Sequence, residues 1–264
     1  MQHPMQTGLP PTEGGQTIKC LETTFAIVTE LERRDGARVT ELASATGLSK
    51  SSVHKHLTTL RMNDLVTKDD DDVYRLGLRF LDIGGHVRDR IPGANIIRRK
   101  IRELADVTEE TAQFAVAEHG RAVIVFREAG RHGVYTRGRV GKRFYIHQTA
   151  SGKAMLSQMS DEEVREIVDQ QGLPKLTEHT ITDIDLLLDE LAEIRERGYA
   201  INQNETTEGL RSVGVPIRGP DGVVLGATTV VGPSNRIQGD KLEHELPDLL
   251  QTAVNELELN LAYS

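Results

Sequence analysis

The chain has no tryptophan, a single cysteine and only 4% aromatic residues in 264. The lone Cys20 excludes an internal disulfide and a cysteine-built zinc cluster, and it fits a reducing compartment. No apolar run approaches the roughly 18 uninterrupted residues of a membrane-spanning helix. The opening "MQHPMQTGLPPTEGGQ" lacks the basic and apolar regions of a signal peptide. Its Pro, Gly and polar residues predict a disordered tail over 1–16, and the expected setting is the cytoplasm. What is present, 38% hydrophobic residues, suffices for compact cores, and the length suits two domains.

Lysine is scarce beside arginine, and acids outnumber bases 40 to 32, for a formal net charge of -8. Acids gather in runs such as "KDDDDVY" at 68–74. Two readings stay open: a solvated surface that keeps the chain soluble, or adaptation to high salt, where carboxylates hold hydration. Against this background, the stretch from Leu42 to Asn63 contains no acid, while Lys50, Lys55 and Arg61 lie within it.

That stretch reads as a helix-turn-helix. In "IKCLETTFAIVTELERRDG", Ile18, Leu21, Phe25, Val28 and Leu31 recur at helical spacing, so one face is expected to be buried. "VTELASATG" follows, with Thr40 as its expected N-cap. Ala43 is small where two helices cross, and Gly47 suits the left-handed backbone of a turn. Ser49 is placed to cap "SKSSVHKHLTTLRMNDLV", whose buried stripe is Val53, Leu57 and Leu60. Counting 100° per residue puts Ser51, Lys55 and Thr58 on the opposite face, flanked by Ser52, His54 and Thr59. Hydroxyl, imidazole and amine groups on an open helix suit phosphates and base edges in a major groove. The candidate DNA-contacting set is therefore Thr40, Ser49, Lys50, Ser51, Ser52, His54, Lys55 and Thr59, and the expected partner is double-stranded DNA. "LVTKDDDDVYRLG" then reads as strand, turn, strand, completing a winged helix over 17–77. Its acidic tip repels phosphates, so either it points away from DNA or cations intervene.

"LGLRFLDIGGHVRDRI" predicts a linker helix over 78–93, with Leu78, Leu81 and Val87 on one side and a weak point at Gly84–Gly85. The second domain, 94–264, opens with a helix near 95–107. A hairpin follows in "TAQFAVAEHGRAVIVFREAG", and a second turns at Pro220-Asp221-Gly222. Helices are signposted by the Ser160/Glu163 capping box, ending at Gly172, and by Thr182 and Gly198 around "TDIDLLLDELAEIRERG". A terminal helix is expected to kink at Pro247. The class is α+β, with a mostly antiparallel sheet. A second acid-free stretch, 131–160, centres on "YIHQTASGKAML". A helix beginning between Thr149 and Gly152 would offer free backbone N–H groups to an anion, although a purely structural helix start has the same residues.

The sequence resembles the IclR family of transcription regulators from about 17 to 262. The resemblance rests on "VTELASATGLSKSSVHKHLTTL", "YRLGLRFLDIG", "HQTASGKAML", "RGYAINQNETTEGLRSVGVPI" and "GVVLGATTVVGP". It implies an N-terminal winged helix-turn-helix, a linker helix and a C-terminal GAF-like effector domain, assembled as dimers or tetramers on a near-palindromic operator. It further implies a small organic-acid or sugar-acid effector, held by Thr136, Ala150, Ser151, Gly152, Asn202, Glu205, Ser212 and Thr229. Family members often carry an acid where Asn202 stands and a small hydroxyl where Val231 stands. Some bind a metal, but here His132, His147 and His179 are scattered without ligand spacing, so no metal or cofactor is expected. The acid-rich wing and low lysine content resemble proteins of salt-loving archaea. Two rivals remain: an enzyme acting on a small acid, for which Ser151 and His147 show no triad order, and a protein-interaction adaptor.

Overall fold

The computed structural model describes residues 16–134 and 138–263. Thr136, expected in the effector pocket, lies outside them. The chain divides into two compact units between Val87 and Arg88, within the linker helix.

In the first unit, α1 (Lys19–Arg34), α2 (Val39–Thr46) and α3 (Lys50–Met62) precede a two-stranded hairpin, β1 (Val66–Lys68) and β2 (Tyr74–Leu76). Their core joins Ile27, Leu31, Leu42, Val53, Leu57, Leu60, Val66 and Tyr74. Each fully buried Leu or Ile contributes about 1.5–3 kcal/mol. Of the expected α1 face only Leu31 is fully buried and Val28 half-buried, whereas Ile18, Leu21 and Phe25 are 62%, 50% and 66% exposed; Ile27, outside that set, takes a core position. At 100° per residue the apolar arc of α1 spans about half its circumference, and the core covers one side of that arc.

Helix α2 is preceded by Arg38, whose backbone N–H donates to the Glu41 carboxylate at 2.7 Å. Thr40 is thus the second residue of the helix and not its cap, because Glu41 satisfies the end from within. Gly47 takes φ 69° after α2, the left-handed backbone that turns the chain into α3. Ser49 caps α3, its hydroxyl accepting from the Ser52 N–H at 3.2 Å. At the wing tip the Asp69 carboxylate accepts from the Asp71 and Val73 N–H groups and pairs with Arg75, while Asp72 pairs with Lys68. Helix α4 (Arg79–Asp89) runs unbroken through Gly84–Gly85. It buries no residue: Leu78 beside it and Leu81 within it are 82% and 70% exposed.

The second unit is built on a six-stranded antiparallel sheet ordered β5-β4-β3-β8-β7-β6 among the described residues. The strands are β3 (Thr111–Glu118), β4 (Arg121–Ala129), β5 (Arg143–Tyr145), β6 (Ala200–Gln203), β7 (Leu210–Arg218) and β8 (Val224–Pro233). Helices α5 (Ala94–Thr108) and α9 (Leu246–Ala262) cover one face through Ile97, Ile101 and Leu250 packed on Phe114, Val213 and Val230. On the other face lies α6 (Ala150–Leu156), backed by α7 (Asp161–Gln171) and α8 (Ile184–Arg197). The Ser160/Glu163 capping box forms and α7 ends at Gly172. Helix α8 starts at Ile184, two residues later than expected, because the Asp183 carboxylate captures the Asp185 and Leu186 N–H groups. Pro247 is the second residue of α9 and directly follows a π-helical turn over Lys241–Glu245. No helix among the described residues is long and apolar enough to cross a membrane.

Candidate functional site

Two sites stand on these frames. On α3, burying Val53, Leu57 and Leu60 leaves Ser51, His54, Lys55, Thr58 and Thr59 exposed. Thr40, Ser49 and Lys50 are exposed as well, while Ser52 is half-buried. Lys50 and Lys55 form no ion pair among the described residues, so their charge is free to meet a polyanion. His56 turns inward instead, its Nδ1 2.9 Å from the Thr24 hydroxyl of α1. The hydroxyls of Ser49 and Ser51 lie 3.1 Å apart, and Thr59 donates to the Lys55 carbonyl.

In the second unit a small cavity of about 70 Å³, open to solvent on one side, lies between α6 and the sheet. Close backbone contact creates it. A Cβ on Gly152 would stand 1.8 Å from the Ile146 carbonyl oxygen, and one on Gly214 would stand 2.8 Å from the Ala150 carbonyl carbon. Only glycine at these positions lets the start of α6 settle between the preceding turn and β7. The Thr149 hydroxyl caps the Gly152 N–H at 2.9 Å. The N–H groups of Ala150 and Ser151 stand at the first two helical positions, which have no partner within the helix.

Of the residues expected to hold an effector, Ala150, Ser151, Asn202, Ser212 and Thr229 line this cavity together. Gly152 and Glu205 do not. Gly152 is spent on packing, as above. Glu205 turns away because Lys153, fully buried on α6, holds its carboxylate at 2.7 Å and that of Glu190 at 2.7 Å. Burial pushes the Glu205 carboxyl above its ordinary pKa, the nearby Lys153 charge opposing that rise. Asn202 reaches both ways: its amide donates to the Gln148 carbonyl and accepts from the Glu205 N–H. It thereby fixes the loop carrying Thr206 and Thr207, which also line the cavity.

Sequence reasoning missed Gln113, Ile124, Phe144, Thr206, Thr207 and Leu210 in this wall. Gln113 left a trace, a polar residue inside the otherwise apolar strand "TAQFAVAE"; its partner in register is Thr229. His147 and Ser151 share no hydrogen bond among the described residues. Burial pushes the imidazole of His147 down to about 4, a hydrogen bond to the Pro174 backbone partly offsetting this. Among the described residues no group of three His, Cys, Asp or Glu side chains stands ready for a metal ion.

An exposed acid-free helix on a winged helix-turn-helix, followed by a sheet domain enclosing a polar chamber, is the makeup of a single-chain transcription regulator. The chain matches the IclR helix-turn-helix domain over residues 21–70 and the bacterial transcriptional regulator IclR C-terminal domain over residues 86–258. It is 29% identical to the probable HTH-type transcriptional regulator ArcR of Halobacterium salinarum, covering 89% of this chain and 90% of that one. The Thermotoga maritima IclR structure superimposes with a TM-score of 0.76 at 26% identity, covering 93% of this chain and 98% of that one. The inducer-binding domain of a PobR double mutant from Acinetobacter, in complex with 3-hydroxybenzoic acid, matches at 26% identity and a TM-score of 0.58, over 62% of this chain and 96% of that one. The chain belongs to the IclR family of transcriptional regulators.

Proposed function

We propose that this regulator binds a near-palindromic operator through α3 from paired copies, and that a small organic acid in the α6 cavity controls its affinity for that operator. One observation carries the reading: a single chain combines an unpaired cationic helix face with a separate chamber lined by hydroxyl and amide groups. Ser51, Lys55 and their neighbours meet base edges and phosphates, and recognition helices of paired copies enter major grooves about 34 Å apart or a multiple of that. The acid interacts with Ala150, Ser151, Asn202, Ser212 and Thr229. The PobR complex with 3-hydroxybenzoic acid supports an acid of similar size. A regulator that reads DNA in this way acts in the cytoplasm.

Pairing of copies is supported by the uncovered apolar residues of the first unit, Ile18, Leu21 and Phe25 on one stripe and Leu78 and Leu81 at α4. A second copy is the natural cover for them, since the same symmetric contact sets the spacing of two recognition helices. Light scattering on Phe25→Glu/Leu81→Glu protein tests this: a monomer supports the interface, and an unchanged assembly removes it.

Control requires that the acid bind the DNA-competent and DNA-incompetent states unequally, with a coupling of typically 1–3 kcal/mol. A thermal-shift screen of the full chain against hydroxybenzoates, gluconate and short keto acids tests the cavity, because a ligand of the native fold raises its melting temperature. A shift abolished by Ser151→Arg supports the site. A shift that survives Ser151→Arg, or no shift with any acid, counts against it.

A further inference from the structure

No charged side chain lines the cavity among the described residues. Among the described residues it carries hydroxyls from Thr149, Ser151, Thr206, Thr207, Ser212 and Thr229 and amides from Gln113 and Asn202, with no acid or base. An anion enclosed by neutral groups loses its hydration without gaining a counter-charge, which is costly. The start of α6 offers partial compensation, but the helix is only seven residues long and one of its leading N–H groups is already capped.

A cation stands next in register to Gln113, beside the lining and not part of it. Gln113 pairs with Thr229 on one side and with Arg127 on the other, so the three share one face of the sheet. A bulge in the β3–β4 pairing, where Phe114 opposes Phe126 and Ala115 opposes Ile124, puts Val125 out of step and returns Arg127 to the face of Ile124 and Gln113. Directly opposed side chains start about 5 Å apart. The Arg127 guanidinium donates from Nη2 to the Val134 carbonyl at 2.9 Å, while its Nε is buried and has no hydrogen-bond partner.

No carboxylate pairs with Arg127 among the described residues, whereas Arg143 has Glu118, Arg236 has Glu110, and Lys153 has two partners. A buried N–H left without an acceptor costs about 1–3 kcal/mol. Arginine stays protonated, and its planar fork matches a carboxylate.

We propose that Arg127 receives the carboxylate of the cavity ligand, and that the start of α6 receives an uncharged oxygen at its other end. Three strand spacings separate Gly214, beneath α6, from Arg127, roughly 14 Å between backbones. With the arginine side chain reaching back across Gln113, a ring or a chain of about six carbons fills the interval. A cation with no carboxylate partner, beside a wall that is neutral among the described residues, selects a monocarboxylate bearing hydroxyl or oxo groups and disfavours a dicarboxylate of equal length. This proposal rests on the reading of the cavity as an effector site.

Titration calorimetry on the full chain tests it with matched pairs, 4-hydroxybenzoate against 4-hydroxybenzamide and gluconate against gluconamide. Wild-type protein is expected to prefer the acid about tenfold or more, the worth of a hydrogen bond to a charged group. Arg127→Met is expected to bring acid and amide to within about twofold. Arg127→Lys keeps the charge without the fork and is expected to fall between, which guards against a folding defect in the first variant. An acid preference unchanged in Arg127→Met, with a native melting profile, overturns the role of Arg127 alone. A wild-type protein that binds none of these acids overturns the effector reading and this proposal together.

Discussion

The two acid-free stretches look alike in sequence and behave oppositely in the structure. Over 42–63, Lys50 and Lys55 stand exposed on α3 with no ionic partner among the described residues. Over 131–160, Lys153 is fully buried between two glutamates and Arg143 is paired with Glu118. The first stretch turns its charge outward to a partner; in the second, Lys153 and Arg143 are spent on the protein's own frame, and the adjoining cavity is neutral among the described residues. A shortage of acids therefore marks where negative charge is unwelcome, and burial decides whether the reason is an external anion or an internal pairing.

The sharpest way to break this contrast is to remove a cation from each stretch. Lys153→Met leaves the Glu190 and Glu205 carboxylates without their shared partner, and is expected to destabilise the chain by about 3–5 kcal/mol in urea unfolding. A loss under about 1 kcal/mol would mean that the buried network contributes little to the frame.

Acid sharpens the contrast from another side. The folded pKa of His147 lies near 4, below the ordinary 6.5, so between these values the unfolded chain binds more protons than the native one. Its stabilising contribution is complete above about pH 6.5 and declines as the pH falls toward 4, by up to about 3 kcal/mol. Glu205 works with the opposite sign: its raised carboxyl favours the fold at low pH, and that contribution is lost as the pH rises through its folded pKa. His147→Phe isolates the first effect and is expected to flatten the decline of stability between pH 6.5 and 4. An unaltered slope would show that the imidazole is hydrated.

On the outward-facing stretch, Lys55→Ala is expected to leave folding intact and weaken duplex binding. The cost is on the order of 1–3 kcal/mol for a base-edge contact, or a drop of about one in the salt slope for a phosphate contact. Fluorescence anisotropy across a salt series distinguishes the two, and Arg143→Ala, on the other stretch, is expected to change neither. The smallest effect is expected of Ser49→Ala, which removes the α3 cap and costs about 1 kcal/mol of stability.

The sequence made local features legible and hid those set by distant neighbours. Gly47, the Ser49 cap, the Ser160/Glu163 box and the buried stripe of α3 depend on residues within a few positions, and all appear where the sequence puts them. The covered side of α1 differs from the one its periodicity predicts because its apolar arc is wider than the surface α2 and α3 present to it. In the cavity, Ala150 and Ser151 could be read from a helix start, whereas Gln113 enters only because β3 pairs with β8 across more than 100 residues of chain. Glu205 stands outside the cavity for the same reason: its partners, Lys153 and the side-chain amide of Asn202, are set by tertiary packing and leave no local signature.

The central claim is that the chamber of the second unit governs the helix of the first. Its most direct test is the dissociation constant for an operator duplex, measured by anisotropy with and without a saturating acid shown by calorimetry to occupy the wild-type cavity. A change of about fivefold or more that Ser151→Arg abolishes is the predicted result. An identical dissociation constant with the cavity filled and empty would contradict the account.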